Sequence, residues 1–285
     1  MLRRLPRQTP GLRVAPTPAP LATPARVHPI ASQPLTPCDC GSAGVALTAA
    51  PAQPIPHGGL AIVVGARGGI GQAMFAQLGA DTRFDHMLAL SRTSTPPLNL
   101  LDEASIALAA AHVASLGLPL RLVMVATGFL HGGGFQPEKA MRQLDPEHLR
   151  TAFALNVIGP ALLMKHLLPL LAPQGKSVFA ALSAKVGSIG DNHLGGWYSY
   201  RASKAALNQL VRTAAIELQR RNAEAICVAL HPGTVATPLS APFSKTGLAV
   251  QTPAESAARL LAVVDGLGVS SSGGFFDQHG APLPW

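Results

Sequence analysis

Leu60-Ala61-Ile62-Val63-Val64-Gly65-Ala66-Arg67-Gly68-Gly69-Ile70-Gly71 is the stretch that decides the fold. Its first five residues are apolar and partly β-branched, the composition of a short buried strand. Gly65 to Gly71 supplies a glycine turn, and Gln72 to Leu78 reads as a helix. Strand, glycine turn and helix in that order is the context a phosphate-binding turn requires. Glycines turn the backbone tightly and let a pyrophosphate approach the amides, and the helix N-terminus adds a favourable dipole. The glycines stand at 65, 69 and 71, as G-x-x-x-G-x-G and not as G-x-G-x-x-G. A flexible glycine-rich loop without a ligand is the other reading.

Outward from this turn, strands and helices alternate. His86 to Leu90 reads as a strand ending in Ser91-Arg92. An acid at that end suits the ribose hydroxyls of adenosine, and an arginine suits a 2′-phosphate. Arg67 adds a second cation, so the pair predicts NADP(H) over NAD unless both are merely solvated. Leu98-Asn99-Leu100 reads as a short third strand with Asn99 at its end, and Glu103 to Ser115 as a helix. Leu120 to Ala126 is a strong strand, and 129–144 a glycine-rich loop. Asp145 and Pro146 are a plausible N-cap and first residue of a helix reaching about Leu171. That helix contains Asn156, with a kink expected at Gly159-Pro160. Ser177 to Leu182 is a strand ending at Ser183, and Trp197 to Arg221 a helix. Ala225 to Leu230 is a strand followed by Pro232-Gly233. Residues 238–252 read as a lid with apolar Leu239, Pro242, Phe243 and Leu248. Pro253 to Leu267 is a helix and Gly274 to Asp277 the last strand. The pattern predicts an α/β fold over 58–285: a single doubly wound parallel sheet of the Rossmann type, with helices on both faces.

The chain has 285 residues, 48% of them hydrophobic, enough for a large core. No apolar run reaches the eighteen or so residues a membrane span needs, so no membrane role is expected. The net charge of +8 is uneven: Arg3, Arg4, Arg7, Arg13 and Arg26 precede residue 58 against one acid, Asp39. No Lys/Arg cluster is interleaved with aromatics, which speaks against nucleic acid. Frequent prolines in 1–57 prevent a continuous helix and predict a disordered or weakly ordered tail. Its shortage of acids resembles a transit peptide, but the prolines oppose the amphipathic helix such a peptide uses. A dispensable leader is the simpler reading. Cys38, Cys40 and Cys227 form no disulfide framework, and Cys38-Asp-Cys40 lacks partners for a metal. A reducing, cytoplasmic compartment is expected.

Tyr200-Arg201-Ala202-Ser203-Lys204 carries the candidate chemistry. A tyrosine and a lysine four apart share one helix face. A free phenol has a pKa of about 10, and a nearby ammonium favours the phenolate. The pair is thus suited to exchange a proton with a carbonyl or alcohol oxygen. A buried ring beside a solvated cation is the bland alternative.

Taken in order, Gly65-x-x-x-Gly69-Ile70-Gly71, Asn156, Ser183, Tyr200-x-x-x-Lys204 and Pro232-Gly233 resemble the short-chain dehydrogenase/reductase family, from about Leu60 onward. Gly187-Ser-Ile-Gly-Asp-Asn192 with Tyr198 to Asn208 is similar to its C-factor and sniffer-type carbonyl reductase branch. The resemblance implies Tyr200 as proton donor or acceptor and Lys204 as its pKa modulator and a holder of the nicotinamide ribose. It implies Asn156 in a water relay, Ser183 on the substrate oxygen, and Pro232, Gly233 and Thr237 at the nicotinamide end. It also implies a small carbonyl or alcohol substrate, and a homodimer or homotetramer built on helices 145–171 and 197–221. The sequence departs from the family at three places. Ala184 occupies the usual serine column, leaving Ser183 or Ser188 for that role. Val125-Ala126-Thr127-Gly128 replaces an asparagine-rich stretch, and Asn99 replaces an aspartate that binds adenine. A nucleotide-binding signalling protein without turnover is the alternative function.

Overall fold

A computed structural model describes residues 53–243 and 250–285; most of the expected tail, and Leu248 of the expected lid, lie outside the described residues. β1 (Leu60–Val64) is buried at every position. A strand without a polar face needs helices on both sides, and the remaining elements supply them. β2 (His86–Leu90), β1, β3 (Leu120–Val125), β4 (Ser177–Leu182), β5 (Ala225–Leu230) and β6 (Phe275–Phe276) lie in that order, all parallel.

Alternate residues of the central strands point to opposite faces. Ala61, Val63, Met124, Ala180 and Val228 meet Met74 and Leu78 of α1 (Gly69–Gly79) and Leu260 and Val264 of α6 (Pro253–Gly266). Leu60, Ile62, Val125, Phe179 and Cys227 meet the other helices. These are Ile106 and Val113 of α2 (Glu103–Ser115), Leu163 and Leu167 of α4 (Gly159–Leu167), and Leu207 and Val211 of α5 (Tyr198–Arg221). Ile55 is also buried among the first set, so the packed unit takes in a residue expected to belong to the tail.

Two local expectations are corrected. Leu98–Leu100 is not a strand. Pro96 and Pro97 have no N–H for a ladder, and the Leu98 N–H closes a turn onto the Ser91 carbonyl at 2.8 Å. The long helix is divided into α3 (Pro146–Phe153), a π turn (Ala154–Ile158) and α4. Asp145 caps α3 as expected, accepting from the amides of Glu147 at 2.7 Å and His148 at 3.0 Å. The irregularity falls before Gly159-Pro160. Pro160 has no N–H for the Asn156 carbonyl four residues back, and the Gly159 N–H reaches five residues back to Ala154. By length and composition, Pro146–Leu170 is apolar enough to cross a membrane; here Leu163, Met164 and Leu167 are buried against the sheet.

The chain leaves β1 for β2 on one side and returns to β3 on the other. At such a switch point the carboxyl ends of neighbouring strands diverge and leave a crevice for a ligand. Here those strand ends carry Gly65, after β1, and Thr127-Gly128, after β3.

Candidate active site

The glycine turn is shaped by close approach. Gly65 has φ +86°, and a Cβ there would stand 2.9 Å from Thr127 Cγ2. A Cβ on Gly71 would stand 2.3 Å from the Gly65 carbonyl oxygen, so neither position admits a side chain. The Gly68 N–H donates to Gly65 at 2.9 Å and the Gln72 N–H to Gly68 at 2.8 Å. Gly68 is the N-cap of α1 and has no side chain to consume the first amides of the helix, Ile70 among them. A Cβ on Gly69 would lie 3.0 Å from Thr237 Cγ2, which places Thr237 against this turn.

Arg67 and Arg92 are both exposed beside the turn and the end of β2. Arg67 Nη1 donates to Thr93 Oγ1 at 2.9 Å, which ties the two loops together. Asn99 is engaged locally: its Oδ1 accepts from the Leu101 N–H at 3.2 Å, and its own N–H donates to Ser105 Oγ at 2.7 Å.

On α5, Lys204 is buried and its Nζ donates to the Leu182 carbonyl at 2.8 Å. The ammonium stands 5.7 Å from the centroid of the Tyr200 ring. Gly187 makes room for the lysine stem, since a Cβ at 187 would lie 2.7 Å from Lys204 Cβ. Burial pushes the Lys204 pKa down to about 8 and the Tyr200 pKa up to about 12. Tyr200 keeps some exposed surface, yet its phenol is enclosed by enough protein for desolvation to dominate. The expected lowering of the phenol by Lys204 is not what sets its direction: burial does, since low polarity favours the neutral form of each group.

Asn156 lies inside the π turn and is buried. Its Oδ1 accepts from the Phe129 N–H at 2.7 Å, and its Nδ2 donates to the Phe129 carbonyl at 2.8 Å and to Ser203 Oγ at 3.0 Å. The side chain thus clamps the loop after β3 to α5. Ser183, at the end of β4, donates its hydroxyl to Asn208 Oδ1 at 2.6 Å. Asn208 Nδ2 is buried with no partner among the described residues. Ser188 lies farther along and is tied to the far end of the chain, donating to the Trp285 carbonyl oxygen at 3.2 Å.

Gly233 has φ +76°, and a Cβ there would overlap Gln278 Oε1 at 1.7 Å. The adjacent Pro232 carbonyl accepts from Ser256 Oγ of α6 at 3.1 Å. His231, just before, has its Nδ1 buried without a partner among the described residues, and burial pushes its pKa down to about 4.

Gly128 is the meeting point of the site. A Cβ there would lie 3.8 Å from Lys204 Nζ, 3.9 Å from Asn156 Oδ1 and 3.9 Å from Leu239 Cδ2 of the lid. His131 Nε2 holds the lid backbone at the Leu239 carbonyl, 3.1 Å away. Phe243 stands edge-on to His131 and to Trp197, each 5.3 Å away between centroids, and Trp197 stands 6.2 Å from Tyr200. The sequence reading included Phe243 in the lid but missed His131 and Trp197 as walls. Gly195-Gly196 before Trp197 was the available signal of an unusual turn: both have positive φ, and Trp197 itself is at +53°. Among the described residues no group of His, Cys, Asp and Glu is arranged to hold a metal.

A family model described as enoyl-(acyl carrier protein) reductase matches residues 72–264. The chain is 31% identical over 233 residues to the 1-hydroxy-2-glutathionyl-2-methyl-3-butene dehydrogenase of Rhodococcus sp. (strain AD45), covering 79% of this chain and 98% of that one. It is 35% identical over 147 residues to the C-signal protein of Myxococcus xanthus, covering 51% of this chain and 84% of that one. Among solved structures, the NADPH-bound carbonyl reductase from chicken fatty liver superposes with a TM-score of 0.71 at 26% identity, over 81% of this chain and 96% of that one. The carbonyl reductase Sniffer of D. melanogaster shares the fold, with a TM-score of 0.68 at 22% identity over 80% and 100% of the two chains.

Proposed function

Because the chain belongs to the short-chain dehydrogenase/reductase family, we propose that it is an NADP(H)-dependent oxidoreductase that reduces the carbonyl of a small molecule to an alcohol, or runs the reverse. The observation that carries this reading is the Tyr200–Lys204 pair on α5, whose buried lysine ammonium lies beside Gly128 at the switch point of the sheet. A bound nicotinamide supplies or accepts the hydride. Tyr200 gives its phenolic proton to the substrate oxygen as charge develops there. Burial keeps that phenol protonated at neutral pH, the form an acid requires. Lys204 holds positive charge beside the phenolate left behind.

The other residues follow from their positions. Gly65, Gly69, Ile70, Gly71 and Thr237 surround the turn that takes the diphosphate. Arg67 and Arg92 take the 2′-phosphate, and Asn99 lies on the same exposed rim. Pro232 and Gly233 border the nicotinamide end. Asn156 has committed its side chain to Phe129 and Ser203, so its backbone carbonyl is the atom left to hold a relay water. Ser183 reaches the substrate oxygen after turning away from Asn208. NADPH in the chicken carbonyl reductase supports the cofactor assignment. An apolar groove of about 610 Å³ between α4 and α5, lined by Met164, Leu168, Leu210 and Ala214, suits a second copy in a homodimer or homotetramer. The unpaired, buried Cys227 fits a cytoplasmic setting.

The likeness to the C-signal protein favours one second reading, a nucleotide-binding signalling protein. Titration with NADPH followed by NADPH oxidation against a panel of aldehydes and ketones separates the two. Binding with turnover supports the reductase; tight binding without turnover of any carbonyl supports the signalling protein.

A further inference from the structure

The N-terminus of α5 is capped by a residue from elsewhere in the chain. Its own N-cap position, Trp197, is left-handed at φ +53°, and its indole makes no capping hydrogen bond. Glu138, in the loop between β3 and α3, takes that place from 61 residues upstream of Ser199. The Glu138 backbone carbonyl accepts the Trp197 N–H. Its Oε2 accepts the Ser199 N–H at 3.2 Å, and its Oε1 accepts the Ser199 hydroxyl.

His148 of α3 supports the carboxylate from the other side, with Nδ1 3.2 Å from the same Oε1. Glu138, His148 and Ser199 are all buried. His148 is itself fixed by aromatic contacts, stacked on Phe135 at 5.0 Å and edge-on to Phe129 at 5.9 Å. A buried carboxylate persists only when hydrogen bonds replace its water, and here a helix terminus adds its favourable dipole. The carboxylate stands between the hydroxyl and the imidazole. In a nucleophilic triad the imidazole would face the hydroxyl, so these residues are not arranged for acyl transfer.

Ser199 immediately precedes Tyr200. Asn156 binds Ser203, immediately before Lys204, and also clamps Phe129, whose ring meets His148. The reactive pair is thus held from both ends by one loop. We infer that Glu138 is a positioning residue: its carboxylate, braced by His148, caps α5 in trans and sets where the Tyr200 hydroxyl stands relative to Lys204. The catalytic consequence rests on the reading of Tyr200 as the proton donor; the capping itself does not.

The test uses the full chain with Glu138→Ala and Glu138→Gln, read by amide hydrogen exchange and by kinetics. In Glu138→Ala, exchange at residues 197–201 should rise by about five- to tenfold, the scale of a lost helix cap, with the strands unchanged. Turnover should fall by about tenfold or more, as expected of a displaced acid, while NADPH affinity is retained. Glu138→Gln keeps an oxygen for the Ser199 N–H and should stay near wild type in both. Unchanged exchange at 197–201 in Glu138→Ala overturns the inference, and so does wild-type turnover. Loss of NADPH affinity as large as the loss of turnover overturns it too, as a general weakening of the fold. If Glu138→Ala does not fold, the wild-type protein decides: the Ser199 amide has no acceptor within its own helix, so strong protection of that amide from exchange supports the cap, and exchange at the rate of an exposed amide overturns it. If the wild-type protein reduces no carbonyl, the proposed reaction fails while the exchange measurement still decides whether Glu138 caps α5.

Discussion

The Lys204 ammonium lies over the Tyr200 ring, 5.7 Å from its centroid, and spends its 2.8 Å hydrogen bond on the Leu182 carbonyl and not on the phenol. The two groups act on each other through space, in a setting where burial opposes both charges. Tyr200→Phe keeps the ring and its packing against Trp197 but removes the proton. Turnover should fall by about a hundredfold or more, the scale of a lost general acid, with NADPH affinity intact. Lys204→Met should reduce both. Ser183→Ala should cost more turnover than Ser188→Ala, because Ser183 ends β4 beside the Lys204 anchor whereas Ser188 is tied to Trp285. Steady-state NADPH oxidation with parallel cofactor titration checks all four; near wild-type turnover in Tyr200→Phe would sink the mechanism.

Lys204 also makes a pH signature in stability. Its pKa is about 8 in the folded chain against 10.5 for the free group. Between these values the unfolded chain binds the extra proton, so stability rises with pH from about 8 to 10.5. Tyr200 has the opposite sign: its pKa rises from 10.0 to about 12 on folding, so it lowers stability as pH climbs from 10 to 12. Thermal unfolding of Lys204→Met should show a smaller rise between pH 8 and 10 than the wild-type protein, the remainder coming from Lys176, which burial also pushes down to about 8. Parallel curves for the two proteins would contradict the burial of a lysine that ionises with difficulty.

Cofactor choice should follow the exposed cations Arg67, in the glycine turn, and Arg92, after β2. The two arginines favour a phosphate on the adenosine ribose, and Arg67 is already linked to that loop through Thr93. NADPH should be preferred over NADH, and Arg92→Asp should move the preference toward NADH. The ratio of kcat/KM values for the two cofactors measures this directly. Equal use of both by the wild-type protein would remove the role given to Arg67 and Arg92.

The boundary of the packed unit is testable by truncation. Ile55 is buried against the helix–sheet face that holds Leu78 and Phe84. Among the described residues, Ile55 is the first that is buried. Removing residues 1–46 should leave folding and NADPH binding unchanged. Removing residues 1–57 should destabilise, because it deletes Ile55 from the core; a buried Ile→Ala change alone costs about 2–5 kcal/mol. Denaturant unfolding of the two truncations distinguishes them, and equal midpoints would show that Ile55 contributes nothing.

The sheet and the reactive pair were legible in the sequence because both follow from local rules. A parallel strand covered on both faces must be apolar along nearly all its length, and Leu60–Val64, Ala225–Leu230 and the residues from Val178 to Leu182 are. A four-residue spacing puts Tyr200 and Lys204 on one helix face whatever surrounds them. Proline showed that the 145–171 helix would be interrupted, but not that the π turn would precede Pro160 and enclose Asn156. Only the tertiary structure decided where the polar side chains went. Asn156 binds Phe129, Ser183 binds Asn208, and Glu138 caps a helix 61 residues away. It also decided that burial, not the lysine, sets the direction of the Tyr200 shift. The physical reason is range: strand and helix patterns depend on neighbours within a few residues. A buried hydrogen bond or a desolvation penalty depends on which distant segment folding brings alongside.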